Sequence, residues 1–466
     1  MRLGIAALMS RVRQMPAVAW TTWLVPGFLR RRFARRRKAW LSAAVSFPAL
    51  PPVQAAVSDF VPNAILAAKV QPELGANVFA FIRGQFGLGE SARRYVEALL
   101  RSNTSLTLHD VSLHIPHGQD ERQYENLLGE AARFPIDLVF VNPDLFEDAM
   151  ENVAALRSVP IRRYIIGVWF WELERIPVAW QKAIEHVDEI VVASEFVAKA
   201  FRSATDKPVI CVPLPLGAHP DSGAGRRDFG LESDKFVFLT TFDFNSSVDR
   251  KNPVDVIAAF QDAFAPDRDD IRLLIKTSNG HRHEERLVEL LMLVGGDPRI
   301  VVRDGILDRD HIGALQRCCD AYVSLHRAEG FGLGMAESMA IGKPVIATGW
   351  SGNLEFMTPE NSWLVDYELV PVPSGAYRFA EGQRWAQPCI QQASRFMREV
   401  VDDSSLRLSR SARAMSDVAV HLSQQAAATI INKRLDAITA SMRSSASSPF
   451  GGRTTDGTFD STISEC

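Results

Sequence analysis

A chain of 466 residues, 47% hydrophobic and 23% charged, is too long for one small core and suits two domains of ordinary size with a cleft between them. Its 52 lysines and arginines against 55 aspartates and glutamates leave a formal net charge of −3, which argues against a general affinity for polyanions, so no nucleic-acid partner is expected. The five cysteines (Cys211, Cys318, Cys319, Cys389 and Cys466) form no Cys-x-x-Cys pair or zinc spacing, and fit a reducing cytoplasm.

The first forty residues depart from that balance. Arg2, Arg11 and Arg13 precede seven basic residues between Arg30 and Lys38, and no acid opposes them. The apolar stretch "MPAVAWTTWLVPGFL" between the two groups is shorter than the roughly 20 residues of a spanning helix and carries two prolines, so it does not read as a transmembrane segment. The basic cluster follows the apolar run, the reverse of a secretory signal. Residues 1–72 thus read as a basic, apolar arm and an Ala/Pro/Val-rich linker to the first lobe. The arm is either solvated or laid on an anionic membrane surface.

Strands and helices alternate from 73 to 217. "NVFAFIRG" reads as a buried strand, "ESARRYVEALLRS" as a helix, and "IDLVFVNP" and "RRYIIGVWFWE" as further strands. "AWQKAIEHV" and "EFVAKAFRS" are helices around the strand "DEIVVASE", and "PVICVPLPL" closes the unit. After the Gly-rich "GAHPDSGAGRRDFG" the alternation restarts and runs over 218–390. Strands "KFVFLTTFD", "IRLLIKTS", "RIVVRDG", "DAYVSLH" and "KPVIATG" are separated by helices "NPVDVIAAFQDAF", "EERLVELLMLV", "HIGALQRCC" and "GMAESMAIG". Apolar strands between amphipathic helices predict an α/β fold of two Rossmann-like, doubly wound domains, with ligands at the carboxyl ends of the strands where the domains face each other. Helical segments from about Trp385 to Met442 follow, those of 391–442 expected to pack back toward the first domain. Residues 443–466 form a polar, low-complexity tail expected to be disordered.

The segment "SLHRAEGFGLGMAESMAIGKPVIATGWSG" carries the most chemistry. A strand end, a glycine-broken turn and a helix start follow one another, and such a helix start binds phosphate through its unpaired amides and positive dipole end. Gly330, Gly332 and Gly334, with Phe331 and Leu333 between them, let a diphosphate approach the backbone. Glu329 and Glu337 flank that turn. Ionised carboxylates only accept hydrogen bonds and vicinal hydroxyls donate them, so the pair suits the sugar and the ribose on either side of a diphosphate, unless Glu329 caps the helix and Glu337 is a solvated charge. In the first lobe, "GQFGLGE" opens a helix after a strand and can bring Gly87 and Gly89 against the phosphate from across the cleft, or serve only strand-to-helix packing. Its glycine order is not the dinucleotide fingerprint, which disfavours a nicotinamide enzyme. "GVWFWELERIP" places Trp169, Trp171 and Glu172 at a strand end on the acceptor side, as stacking platform and hydroxyl acceptor, with core packing the alternative for the tryptophans.

The run "EGFGLGMAE" followed by "A.GKPVIAT..SG..E" resembles the donor site of retaining glycosyltransferases of GT-B architecture, family 4 of the sequence classification, over roughly residues 77–440. "DEIVVASEFVAKAF", "FVFLTTFDFNSSVDRKNP" and "RGQFGLGESAR" are similar to that family as well. The resemblance implies that Glu329 contacts the donor sugar, Glu337 the ribose, and the amides of 331–334 the diphosphate. It implies that Lys251 pairs with the distal phosphate. Asn245 stands where the family usually has an arginine; Arg250 is a candidate substitute, and Lys276, at another strand end, a second donor-side cation. His109, His114 and His117 lie near where the family often has an acceptor-side histidine; the sequence does not choose among them, and a surface loop accounts for all three as well.

With the resemblance, these residues imply a retaining hexosyltransferase, expected to move sugar from a nucleotide-diphosphate sugar to a saccharide or lipid-linked acceptor in cell-surface polysaccharide or glycolipid assembly. By the resemblance, attack is front-face and the leaving phosphate takes the acceptor's proton. No cofactor is expected beyond the nucleotide sugar as co-substrate. No Asp-x-Asp motif stands at a strand end, so no metal is expected either; cationic side chains can stabilise the departing diphosphate. The alternatives are a nucleotide-sugar epimerase of the same fold and a non-catalytic sugar-nucleotide-binding protein. The expected location is cytoplasmic, with the arm holding the body peripherally on the inner face of the membrane.

Overall fold

A computed structural model of the protein describes residues 41–52, 75–113, 115, 117–129, 131–155, 163–219 and 222–447. The expected arm, most of the linker and residues 448–466 of the low-complexity tail lie outside the described residues, as does His114; residues 443–447, expected to be disordered with the tail, instead end the last helix. Among the described residues no helix is long and apolar enough to cross a membrane.

The first lobe is a six-stranded parallel sheet built from β1 (Ala76–Ala80), β2 (Leu106–Asp110), β3 (Ile136–Phe140), β4 (Tyr164–Val168), β5 (Glu189–Val192) and β6 (Val209–Cys211), in the order β2-β1-β3-β4-β5-β6. Its helices are α1 (Gly87–Arg101), α2 (Phe146–Ala155), α3 (Gln181–His186) and α4 (Glu195–Arg202). The second lobe repeats the design with β7 (Phe236–Asp243), β8 (Ile271–Ser278), β9 (Ile300–Asp304), β10 (Ala321–Ser324), β11 (Val345–Thr348) and β12 (Trp363–Val365), ordered β12-β11-β10-β7-β8-β9. Between these strands run α5 (Val248–Lys251), α6 (Pro253–Ala263), α7 (Glu284–Val294), α8 (Arg309–Cys318) and α9 (Leu333–Ala340). Strands β1 and β7 each have neighbours on both sides that come later in the chain. The strand order therefore reverses beside them, and the crevice for a ligand opens at their carboxyl ends.

Several elements escape the sequence reading. Strand β2 lies in what reads as a histidine-bearing loop, helix α2 follows "IDLVFVNP" unannounced, and an antiparallel hairpin of β13 (Tyr367–Pro371) and β14 (Arg384–Pro388) stands outside both main sheets. Trp385, expected to begin a helix, is in β14; the helices start at α10 (Ile390–Asp402) and continue as α11 (Ser404–His421) and α12 (Gln424–Ser447). Residues 41–52, read as a linker to the first lobe, pack instead on the second. Val45 joins that lobe's core, Phe47 meets Phe229 edge-on at 6.3 Å, and His311 Nε2 lies 3.0 Å from the Pro51 carbonyl.

The last helix returns to the first lobe. Thr104 Oγ1 donates to Asn432 Oδ1 at 2.8 Å, and Arg434 Nη2 reaches Glu189 Oε2 at 2.6 Å beside the Tyr164 hydroxyl. The Glu189 side chain is fully buried in the sheet, so α12 neutralises a charge the first lobe cannot leave alone. Arg434→Met is accordingly expected to lower unfolding free energy by on the order of 3 kcal/mol in denaturant titration. Adding Glu189→Gln is expected to recover most of that loss, since the buried charge is then gone; equal destabilisation of the single and double variants would show that the ion pair is not what α12 supplies.

Candidate active site

A cleft of about 1110 Å³ separates the lobes and collects the carboxyl ends of β1, β7 and β10. On the second lobe its wall is the turn from Glu329 to Gly334, which leads into α9. Gly332 takes φ +96°, the left-handed region that L side chains avoid, and starts the helix abruptly. Gly330 has a different reason: a Cβ there would stand 2.7 Å from the Trp171 carbonyl oxygen of the first lobe. The first lobe touches this turn again where Ser194 Oγ donates to the Gly330 carbonyl at 2.7 Å. The Glu329 backbone is pinned on both sides, its N–H donating to Ser351 Oγ at 2.8 Å and its carbonyl accepting from Gly352 N at 2.9 Å.

The short helix α5 brings the cations to that turn. Ser247 caps it by accepting from Arg250 N at 3.1 Å, and Asn252, left-handed at φ +53°, ends it and caps α6. Arg250 Nη1 lies 3.2 Å from Glu329 Oε2 and donates to the Ala328 carbonyl at 2.7 Å, while Lys251 Nζ pairs with Glu329 Oε1. Burial alone would raise the Glu329 carboxyl, but Lys251 and Arg250 overcome it and hold the group down to about 2. Arg250, only 4% exposed, also faces Glu172 Oε1 of the first lobe at 3.7 Å. Glu329, Lys251, Arg250 and Glu172 therefore meet at one point, drawn from both lobes. Asn245 lines the same cleft, with its Oδ1 3.0 Å from His283 Nε2, and the arginine brought to Glu329 is Arg250.

Other expected residues fall elsewhere. Glu337 is not among the residues that line the cleft; its Oε1 accepts from Arg94 Nη2 of the first-lobe helix α1 at 2.5 Å and its Oε2 from Gln316 Nε2 at 2.9 Å. Lys276 is buried in β8 away from the cleft lining, and burial pushes its ammonium down to about 8 against the pull of Asp243 and Asp304. Gly87 lines the cleft with open space over it, whereas Gly89 is a packing residue, since a Cβ there would meet the Gly84 carbonyl oxygen at 2.5 Å. Trp169 and Trp171 are 0% exposed and belong to the first-lobe core, so neither offers a stacking face; Phe170 between them lines the cleft. Residues that alternate along an extended chain point to opposite sides, and here the tryptophans take the inner side. His109 is buried in β2, stacked on Phe79 at 4.7 Å, and it is His117, stacked on Phe86 at 4.4 Å, that reaches the cleft.

Tyr377, from the hairpin tip, is the site residue that sequence reasoning missed. Its hydroxyl donates to Glu172 Oε2 at 2.5 Å, and its ring stands 5.8 Å from the Arg250 guanidinium carbon. Among the described residues no group of three or more His, Cys, Asp or Glu side chains is arranged to hold a metal ion.

Residues 235–372 match the family model described as glycosyl transferases group 1. No curated protein matches the chain in sequence. Among solved structures, sucrose-phosphate synthase from Thermosynechococcus elongatus is 15% identical over 79% of this chain and 100% of that one, with a TM-score of 0.55. Anabaena HepE, solved in complex with UDP-glucose, is 13% identical over 79% of this chain and 100% of that one, with a TM-score of 0.54. An S. aureus TarM variant is 13% identical over 67% of this chain, with a TM-score of 0.48, and this chain spans 57% of that one. The architecture is GT-B, two six-stranded parallel sheets with helices facing each other across a cleft.

Because the Glu329 carboxyl is held below its ordinary 4.5, the stability it contributes is complete above that pH and fades as pH falls from 4.5 toward about 2. The melting-temperature gap between the wild type and Glu329→Gln should be widest at pH 5 and above and shrink steadily over that window. A gap independent of pH would contradict the ion cluster.

Proposed function

We propose that the chain is a retaining glycosyltransferase that moves a hexose from a nucleoside-diphosphate sugar to a hydroxyl of a saccharide or lipid-linked saccharide. The observation that carries this reading is the meeting of Glu329, Lys251 and Arg250 at a glycine turn that opens into α9, with the first lobe closing over it. Glu329 accepts hydroxyls of the donor sugar. Amides at the start of α9 and the Lys251 ammonium receive the diphosphate, whose charge grows as the glycosidic bond breaks. The acceptor hydroxyl attacks on the face the diphosphate leaves, and the leaving oxygen takes its proton. The lobes hold the two substrates together and exclude water. The positive charge comes from Lys251 and Arg250, so the proposal includes no divalent ion. The match over 235–372 supports the transferase class, and the complex of HepE with UDP-glucose supports a nucleotide sugar as donor.

Thermal melting with UDP, GDP and ADP tests the donor site, since a ligand at about 100 times its dissociation constant stabilises by roughly 2.7 kcal/mol. One of the three is expected to raise the midpoint by a few degrees; no shift with any of them would sink the reading. With the donor so fixed, Lys251→Ala should lower kcat by about 10²–10³ while the protein stays folded, because leaving-group charge is complete only in the transition state. Transfer should persist in EDTA, and loss restored by magnesium or manganese would overturn the metal-free mechanism.

The basic arm, as we read it, holds the enzyme peripherally on an anionic membrane in glycolipid or polysaccharide assembly. Each of its clustered cations contributes at most about 1 kcal/mol near an anionic leaflet, less with salt and mutual repulsion. Deleting residues 1–40 keeps Leu41 and Val45, which are buried. The shortened protein should melt like the full chain yet fail to co-sediment with phosphatidylserine vesicles, and full-length protein should release in high salt. Full-length protein that ignores such vesicles at low salt would end the idea.

A further inference from the structure

The tip of the hairpin, residues 372–383, leaves the second lobe and ends on the first. Arg378 pairs with Asp144, Gln383 Nε2 donates to the Arg175 carbonyl at 2.7 Å, and Arg384 Nη2 lies 3.3 Å from Glu174. On its own side the tip is tied where Ser247 Oγ donates to the Ala376 carbonyl at 2.8 Å, next to the cation-bearing helix α5. Tyr377 stands between these ties. Its ring packs 5.8 Å from Trp171, and burial with the neighbouring Glu172 pushes its phenol far up, so it remains a donor.

Glu172 is thereby fixed but not saturated. Oε2 takes the Tyr377 hydroxyl at 2.5 Å, while Oε1 faces Arg250 at 3.7 Å, beyond hydrogen-bond distance. A carboxylate has about four acceptor sites, and this one lines the cleft with open lone pairs. The same Arg250 guanidinium reaches Glu329 at 3.2 Å, so Glu172 lies one guanidinium away from the Glu329 carboxylate of the opposite lobe, which the reading above sets on the donor sugar.

We propose that Glu172 is the acceptor seat, accepting a hydrogen bond from the hydroxyl next to the attacking one, and that Tyr377 of the donor lobe is the positioning residue that orients it. The acceptor class is a sugar presenting a vicinal diol. The seat rests on the transferase reading above. The attacking oxygen bonds to the anomeric carbon as the bond to the diphosphate breaks, its proton passes to the diphosphate, and Glu172 exchanges no proton.

The test uses the full chain with whichever of UDP-glucose, GDP-mannose and ADP-glucose it binds in calorimetry. Acceptors are the methyl and octyl glycosides of glucose, galactose, mannose and N-acetylglucosamine. Tyr377→Phe, which keeps the ring beside Arg250, should leave the donor Kd and donor hydrolysis by water within about twofold, because water has no second hydroxyl to seat, while transfer kcat/KM falls about tenfold or more in it and in Glu172→Gln alike, chiefly through acceptor KM. Arg384→Ala, which loosens the hairpin without touching Glu172, should transfer like the wild type. Unchanged transfer in both seat variants, a parallel fall in hydrolysis in Tyr377→Phe, an equal loss in Arg384→Ala, or a donor-loaded wild type that glycosylates none of these glycosides would each overturn the seat. A wild type that binds none of the three donors overturns the transferase reading itself and takes the seat with it.

Discussion

Arg250 is a buried cation between carboxylates from different lobes, and the site depends on it. A guanidinium only 4% exposed must be paired, because an isolated charge out of water costs several kcal/mol. Glu329 supplies most of the pairing and Glu172 the rest; despite the opposing effect of burial, the two acids raise the affinity of Arg250 for its proton. The smaller share comes from Glu172, more than seventy positions earlier and on the other domain. The pairing of Arg250 with Glu329 and of Glu329 with Lys251 lies within the second lobe, and the first lobe completes the cluster with Glu172.

The same coupling is built into the uncharged contacts. Gly330 has no side chain because the first-lobe backbone at Trp171 occupies the space, and Ser194 reaches the Gly330 carbonyl from the start of α4. The turn that the sequence presents as a phosphate cradle is thus also a bearing surface between domains. Arg94 and Glu337 form a second, more buried tie across the interface. Two glutamates that look equivalent in the motif part company in the fold, Glu329 opening on the cleft and Glu337 turned into the lobe contact.

What was legible in the sequence follows from locality. Alternating apolar strands and amphipathic helices state the two doubly wound sheets plainly, because each element's burial pattern is written in its own residues. The strand-turn-helix around Glu329 is equally local, and so is the nearness of Lys251 to Arg250. Strand β2, short and carrying Thr107, His109 and Asp110, hides its pattern because its polar side chains find partners that only the fold brings up, such as Asn77 for Thr107. Trp169 and Trp171 look like a sugar platform until the chain direction after β4 decides which side faces the core. The Tyr377–Glu172 and Arg94–Glu337 contacts join residues 205 and 243 positions apart, and no periodicity or spacing announces such a pair.

The two cations beside Glu329 are not interchangeable, and their surroundings assign their roles. Arg250 is held by the Ala328 carbonyl, by Glu329 and by the Tyr377 ring, so moving it would strand a buried charge and break a hydrogen bond. Lys251, with 22% of its side chain exposed, depends on Glu329 in the same cluster but sits on the solvent side of it. A diphosphate arriving at the start of α9 can draw the lysine over on its flexible stem without unmaking the core of the cluster, and Glu329 keeps Arg250 as its counter-charge when the lysine leaves. In the proposed transfer, lysine then follows the charge that moves in the reaction, while arginine keeps fixed the carboxylate assigned to the sugar. A single cation could not do both, since a group rigid enough to orient Glu329 could not also track the departing phosphate.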